Sequence, residues 1–111
     1  MTPEDLAGLI GEDETLALLA RRAGQRLYVP RRPSPALIAT CGKNGAEALV
    51  AAMGGSFLLL PVAKRWRAIA MRRRGVTVRD IALTLGLGER AVWYAISEAG
   101  LQHEQSRTEV A

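Results

Sequence analysis

The chain has 111 residues, 49% hydrophobic and 23% charged with only 5% aromatic, which suits one ordinary domain or two very small ones and excludes wholesale disorder. A net charge of +4 and an isoelectric point near 10.0 invite a polyanionic partner without naming one. The single cysteine, Cys41, rules out an intramolecular disulfide and suits a reducing cytoplasm, either as a small buried apolar residue or as a reactive or dimer-linking thiol.

From the N-terminus, MTPEDLAGLIG is acidic and lacks the basic start of a secretory signal. Thr2-Pro3 and, later, Ser34-Pro35 each set a capping hydroxyl just before a proline at the first helical position, and so open two short helices. Each of these leads into one copy of an internal repeat. Gly11 to Pro30 aligns without gaps on Gly42 to Pro61 at an offset of 31, with seven of 20 positions identical. Both copies open on Gly, run through about three helical turns, stop at Gly24 or Gly55, and end in a short apolar strand closed by proline. The stop glycines suit the left-handed conformation at a helix end. Leu27-Tyr28-Val29 and Phe57-Leu58-Leu59-Leu60 are rich in strand formers. Lone strands leave backbone groups unpaired, so the two strands pair with each other, across a dimer interface, or both.

Ala48 to Ala63 carries no charge over 16 residues, short of the ~20 that a membrane-spanning helix needs. Gly54-Gly55 and Pro61 interrupt it, so it reads as a helix end followed by a buried strand, and no membrane partner is expected. Val62 to Arg74 is a helix candidate stopped by Gly75, with Val62, Trp66 and Ile69 on one apolar stripe and Ala70 beside it.

Thr77 offers the next N-cap, with Asp80 three residues on to complete a capping box. Val78 to Leu85, then Gly86-Leu87-Gly88, then Glu89 to Ala99 read as two helices about a tight turn. A helix-turn-helix needs a small residue where its helices cross, a glycine in the turn and buried aliphatics on both sides. Ala82, Gly86 and Val92 supply these at the required spacing, with Ile81, Leu85, Leu87 and Ile96 closing a miniature core. A purely structural helical hairpin satisfies the same pattern. The charge favours the binding reading: residues 1–61 are neutral, residues 62–98 carry +5 and the tail −1.

If the pair docks as such motifs do, the second helix enters the major groove with Gly88, Glu89, Arg90, Trp93, Tyr94 and Ser97 outward. Arg90 can fork onto guanine O6 and N7. Glu89 can accept from a cytosine amine, or simply complement the helix dipole. Tyr94 can reach a phosphate, while Trp93 either lies along sugar edges and thymine methyls or tucks against Trp66. Lys64, Thr77 and Arg79 are candidates for phosphate contacts, which position a protein without reading sequence. Gly88 stands where a capping Ser or Thr is usual.

The paired Gly-x-x-Leu-x-Val/Leu-Pro strands (Gly24 to Pro30 and Gly55 to Pro61), the Leu9-Ile10-Gly11 opening and the helix-turn-helix from Val78 together resemble the Mor transcription activator family of Mu-like phages and prophages, over about residues 5 to 98. The resemblance implies a mainly α fold with short β-strands. It implies an N-terminal helix–strand dimerisation region, which reads over 1–61, and a DNA-binding helix-turn-helix domain, which reads over 62–100; residues 101–111 read as a polar tail. It further implies a homodimer gripping adjacent major grooves of double-stranded DNA, activation of phage genes with host RNA polymerase, and a hinge at Gly54 and Gly55. In that family the strand after the paired glycines also approaches DNA through polar or aromatic side chains. Here Leu59 stands where tyrosine is usual, although Tyr28 keeps it in the first copy. A repressor or autoregulator on the same scaffold, and a module whose hairpin packs on protein, are the competing readings. No catalytic constellation argues for an enzyme: the only histidine, His103, lies in the polar tail, Cys41 has no metal spacing around it, and no cofactor is implied.

Overall fold

A computed structural model describes residues 1–100; His103 and the tail over 101–111 lie outside the described residues. The described chain is mainly helical with one small antiparallel sheet. In order it forms α1 (Pro3–Ile10), α2 (Glu12–Arg22), β1 (Arg26–Tyr28), α3 (Pro35–Met53), β2 (Phe57–Leu59), α4 (Lys64–Arg73), α5 (Val78–Leu85) and α6 (Glu89–Glu98). It divides into two compact units, Met1–Ala63 and a second beginning at Lys64. Among the described residues, no helix is long and apolar enough to cross a membrane.

In the first unit, the helix ends follow from local chemistry. Thr2 Oγ1 accepts from Asp5 N–H at 3.0 Å and Asp5 Oδ2 accepts from Thr2 N–H at 3.4 Å, a complete capping box. Ser34 Oγ likewise accepts from Leu37 N–H, with Pro35 at the first helical position. Glu12, Asp13 and Glu14 open α2 and Arg21 and Arg22 close it, so charge and helix dipole agree at both ends. Gly11 separates α1 from α2 at φ 102°, ψ 152°, and Gly42 breaks α3 at φ 73°, ψ 166°. The break divides α3 into two helical pieces that correspond to α1 and α2.

β1 and β2 pair with each other within the chain, Arg26 opposite Leu59, Leu27 opposite Leu58 and Tyr28 opposite Phe57. Leu27 and Leu58 are themselves equivalent positions of the repeat. The pairing is therefore centred on a local two-fold axis that exchanges one copy for the other. Hydrogen bonds flanking the strands obey the same exchange. Gly24 N–H donates to Leu60 O (2.9 Å) and its mate Gly55 N–H to Val29 O (2.7 Å). Val29 N–H donates to Ser56 O (2.8 Å) and its mate Leu60 N–H to Gln25 O (2.9 Å). Buried residues recur in the same way: Leu6 with Leu37, Ile10 with Cys41, Leu18 with Leu49, and Val29 with Leu60. Burial, reinforced by nearby Glu14, pushes the Cys41 thiol above its ordinary pKa.

Because side chains alternate along a strand, burying Leu58 turns Phe57 and Leu59 outward, and Arg26 and Tyr28 join them. These outward groups partly cover one another. Tyr28 meets Phe57 edge-on with ring centroids 5.3 Å apart, and the Arg26 guanidinium lies 4.5 Å from the Phe57 centroid.

The second unit gathers Ala68, Val78, Ile81, Ala82, Leu85, Val92 and Ile96 into one buried cluster, with Met71, Val76 and Leu87 packed against it. Here α4 departs from expectation. It begins at Lys64 rather than Val62, because Ala63 takes φ 50° and turns the chain off the helical path. Val62 is exposed, and the Val62–Trp66–Ile69 stripe is not the buried face. Ala68 and Ala70 are buried instead, with Trp66 and Ile69 only half-buried. The strands also differ slightly from their expected bounds, since β1 starts at Arg26 and β2 stops at Leu59.

Candidate nucleic-acid interface

The α5–α6 pair is built by three local devices. Thr77 Oγ1 accepts from Asp80 N–H at 3.1 Å and starts α5, but the Asp80 side chain does not return the bond, so only half of the expected capping box forms. Gly86, at φ 67° and ψ 36°, ends it in the left-handed conformation, and Leu87 N–H turns back to donate to Ala82 O at 2.9 Å. Gly88 then starts α6 from an extended backbone, with no side chain to cap it. Ala82 is buried between its aliphatic neighbours, as a small residue at a helix contact should be.

Burial divides α6 cleanly. Val92, Ala95 and Ile96 are buried, whereas Glu89, Arg90, Trp93, Tyr94 and Ser97 are exposed. Arg90, Trp93, Tyr94 and Ser97 follow the spacing of one helical face and line a shallow hollow of about 270 Å³. Tyr94 is 65% exposed and Trp93 39%, and Trp93 lies outside the buried cluster. A guanidinium, two amphipathic rings and a hydroxyl thus converge on one open surface without an enclosed pocket.

The remaining candidates sit at the helix starts. Lys64 opens α4, Thr77 caps α5 and Arg79 lies in its first turn, all three exposed. Thr77 already spends its hydroxyl as an acceptor for Asp80 N–H, so its O–H proton is what remains to offer a phosphate oxygen. Arg65 was not singled out in the sequence. It pairs with Glu98 at 2.6 Å between exposed side chains. Half-burial of Arg67 lowers its pKa from the usual arginine value. Leu83 is 72% exposed on α5. Its position four residues after Arg79 places it on that residue's helix face, which helical spacing alone could have revealed.

Gly54 and Gly55, expected as a hinge, lie inside the first unit between α3 and β2, and the boundary between units falls after Ala63. Gly54 N–H donates to Val50 O at 2.8 Å and Gly55 adopts φ 84°, like its mate Gly24 at 78°. Both positions of positive φ demand glycine on backbone grounds. Among the described residues, no group of three or more His, Cys, Asp or Glu is placed to hold a metal ion. Compared with protein-family models, curated proteins and solved structures, the chain matches none.

Proposed function

We propose that this protein binds duplex DNA through α5 and α6, acting as a helix-turn-helix, and regulates transcription. The observation that carries the reading is the exposed α6 face of Arg90, Trp93, Tyr94 and Ser97, held by the buried Val92 and Ile96 behind it. Arg90 then reads guanine and Glu89 accepts from a cytosine amine, while Tyr94 and Trp93 use their polar tips and ring faces on phosphate and sugar. Lys64, Thr77 and Arg79 position the unit on the backbone. The concentration of +5 within residues 62–98 supplies the long-range attraction that such docking needs.

The resemblance to the Mor family extends this to activation of phage or prophage genes together with host RNA polymerase. A repressor would use the same surface, and footprinting a regulated promoter with polymerase present separates the two by recruitment or exclusion. DNA binding itself is tested by anisotropy titration of mixed-sequence duplexes at increasing salt. The log affinity should fall by ~0.9 per phosphate neutralised for each unit of log salt. Undetectable binding, or binding indifferent to salt, would overturn the proposal in favour of a protein-interaction hairpin.

A further inference from the structure

The resemblance implies a second copy of the chain, yet the pairing that such a copy would provide is already made inside this one. β1 and β2 meet antiparallel with repeat-equivalent Leu27 and Leu58 at the centre. Each flanking hydrogen bond has a mate in which the two copies are exchanged. The axis thus lies within residues 1–63, and the strands have no need of a partner chain on the edge they share. Their other edges are only three residues long, short templates for further pairing. The outward face is partly covered from within, Arg26 lying over Phe57 and Tyr28 against its edge.

The two copies are nevertheless followed by different things. After β2 the chain continues into α4, α5 and α6. After β1 it returns through Arg31, Arg32 and Pro33 to α3. Among the described residues, the two copies together are thus followed by one reading helix rather than two.

We infer that the working unit is a single chain, and that its DNA target is one unrepeated half-site rather than a palindrome. The target half of this inference rests on the proposed DNA-binding function; the single-chain half does not. Dimeric helix-turn-helix proteins mirror their own symmetry in operators whose half-sites lie about 10 base pairs apart. A unit whose symmetry axis relates two strands of one chain, with one reading helix attached, imposes no such repeat on DNA.

Sedimentation of the full chain at micromolar concentration should give a monomer of 12.0 kDa. A stable species of twice that mass overturns the inference. Selection from a pool of random-sequence duplexes should enrich one short motif without inverted symmetry, bound by one chain per duplex. An inverted repeat occupied by two chains overturns it as well. Leu59→Lys, at an exposed position, should change neither the mass nor the symmetry of the motif. If that variant turns a dimer into a monomer, the ribbon face holds a second copy and the inference fails. Should the selection enrich nothing, the DNA reading fails and takes the half-site with it, while the sedimentation result still decides the single-chain unit.

Discussion

Leu27 and Leu58 face each other across the antiparallel strands and occupy the same place in two copies of one repeat, 31 positions apart. Their burial differs: Leu58 is buried and Leu27 half-buried. Leu58→Ala should therefore cost about 2–5 kcal/mol, the range for truncating a buried leucine, and Leu27→Ala distinctly less. Urea melts followed by far-ultraviolet circular dichroism would give both. Equal losses would show that the strands contribute symmetrically despite their unequal cover.

Gly24 and Gly55 provide a second matched pair. Their positive φ values strain any side-chain-bearing residue, so alanine at either should cost about 1–2 kcal/mol. The mates differ in surroundings. A Cβ at Gly24 would lie 3.2 Å from Val62 Cγ2, and one at Gly55 would lie 3.1 Å from Arg31 Nε. The arginine is long enough to swing aside, so any excess cost beyond backbone strain should appear at Gly24. The same melts compare them.

The two helix starts of the candidate interface predict opposite signs. Thr77→Ala removes a hydroxyl that accepts from Asp80 N–H and should cost ~1 kcal/mol. Gly88→Ser supplies an absent cap on an extended backbone with open space around it, and should add roughly a few tenths of a kcal/mol. Both tryptophans lie in this part of the sequence, so their fluorescence during urea unfolding reports the shifts.

Arg90 and Arg79 should behave differently on DNA. Arg90→Ala should lose about 1–3 kcal/mol on the preferred duplex and relax sequence preference at one position. Arg79→Ala should weaken preferred and random duplexes alike and lower the salt slope by about one phosphate. Anisotropy with both duplexes resolves the two. Identical behaviour would show that the reading face has been assigned wrongly.

Cys41 gives a prediction in pH. Burial, aided by Glu14, raises its folded pKa above the ordinary 9.0, so the native thiol keeps its proton where the unfolded one has lost it. That contribution is fully present below about pH 9 and is lost as pH rises from there through the folded value. Wild type should lose stability across this alkaline window faster than Cys41→Ala, as urea midpoints at successive pH values would show. Thiol reagents should also label the native protein slowly.

The helical pieces were legible where a local device marks them. Thr2, Ser34 and Thr77 each accept the hydrogen bond that their sequence context promised, and Gly86 takes the left-handed conformation that the turn requires. The exposed face of α6 followed from spacing about Val92 and Ile96. Strand partners were not legible, because a short apolar strand ending in proline offers the same edge to its own chain as to another. The α4 face is not legible for a different reason. Its large apolar residues suggested the stripe, but the turn at Ala63 removes Val62 from the helix, and the small Ala68 and Ala70 take the close contacts. Nothing in the periodicity announced that a non-glycine residue would adopt φ 50° there.

The contact of Tyr28 with Phe57 has a further consequence for how such a molecule can change. Were two identical first strands to pair in this register, each Tyr28 would face an Arg26; two identical second strands would set Phe57 against Leu59. Aromatic against aromatic arises because the partners are encoded separately. A substitution in a symmetric assembly strikes both sides of the axis at once, and must be tolerated twice. Here each strand can be altered alone while the other holds the register, so the exposed ribbon is free to diversify in single steps.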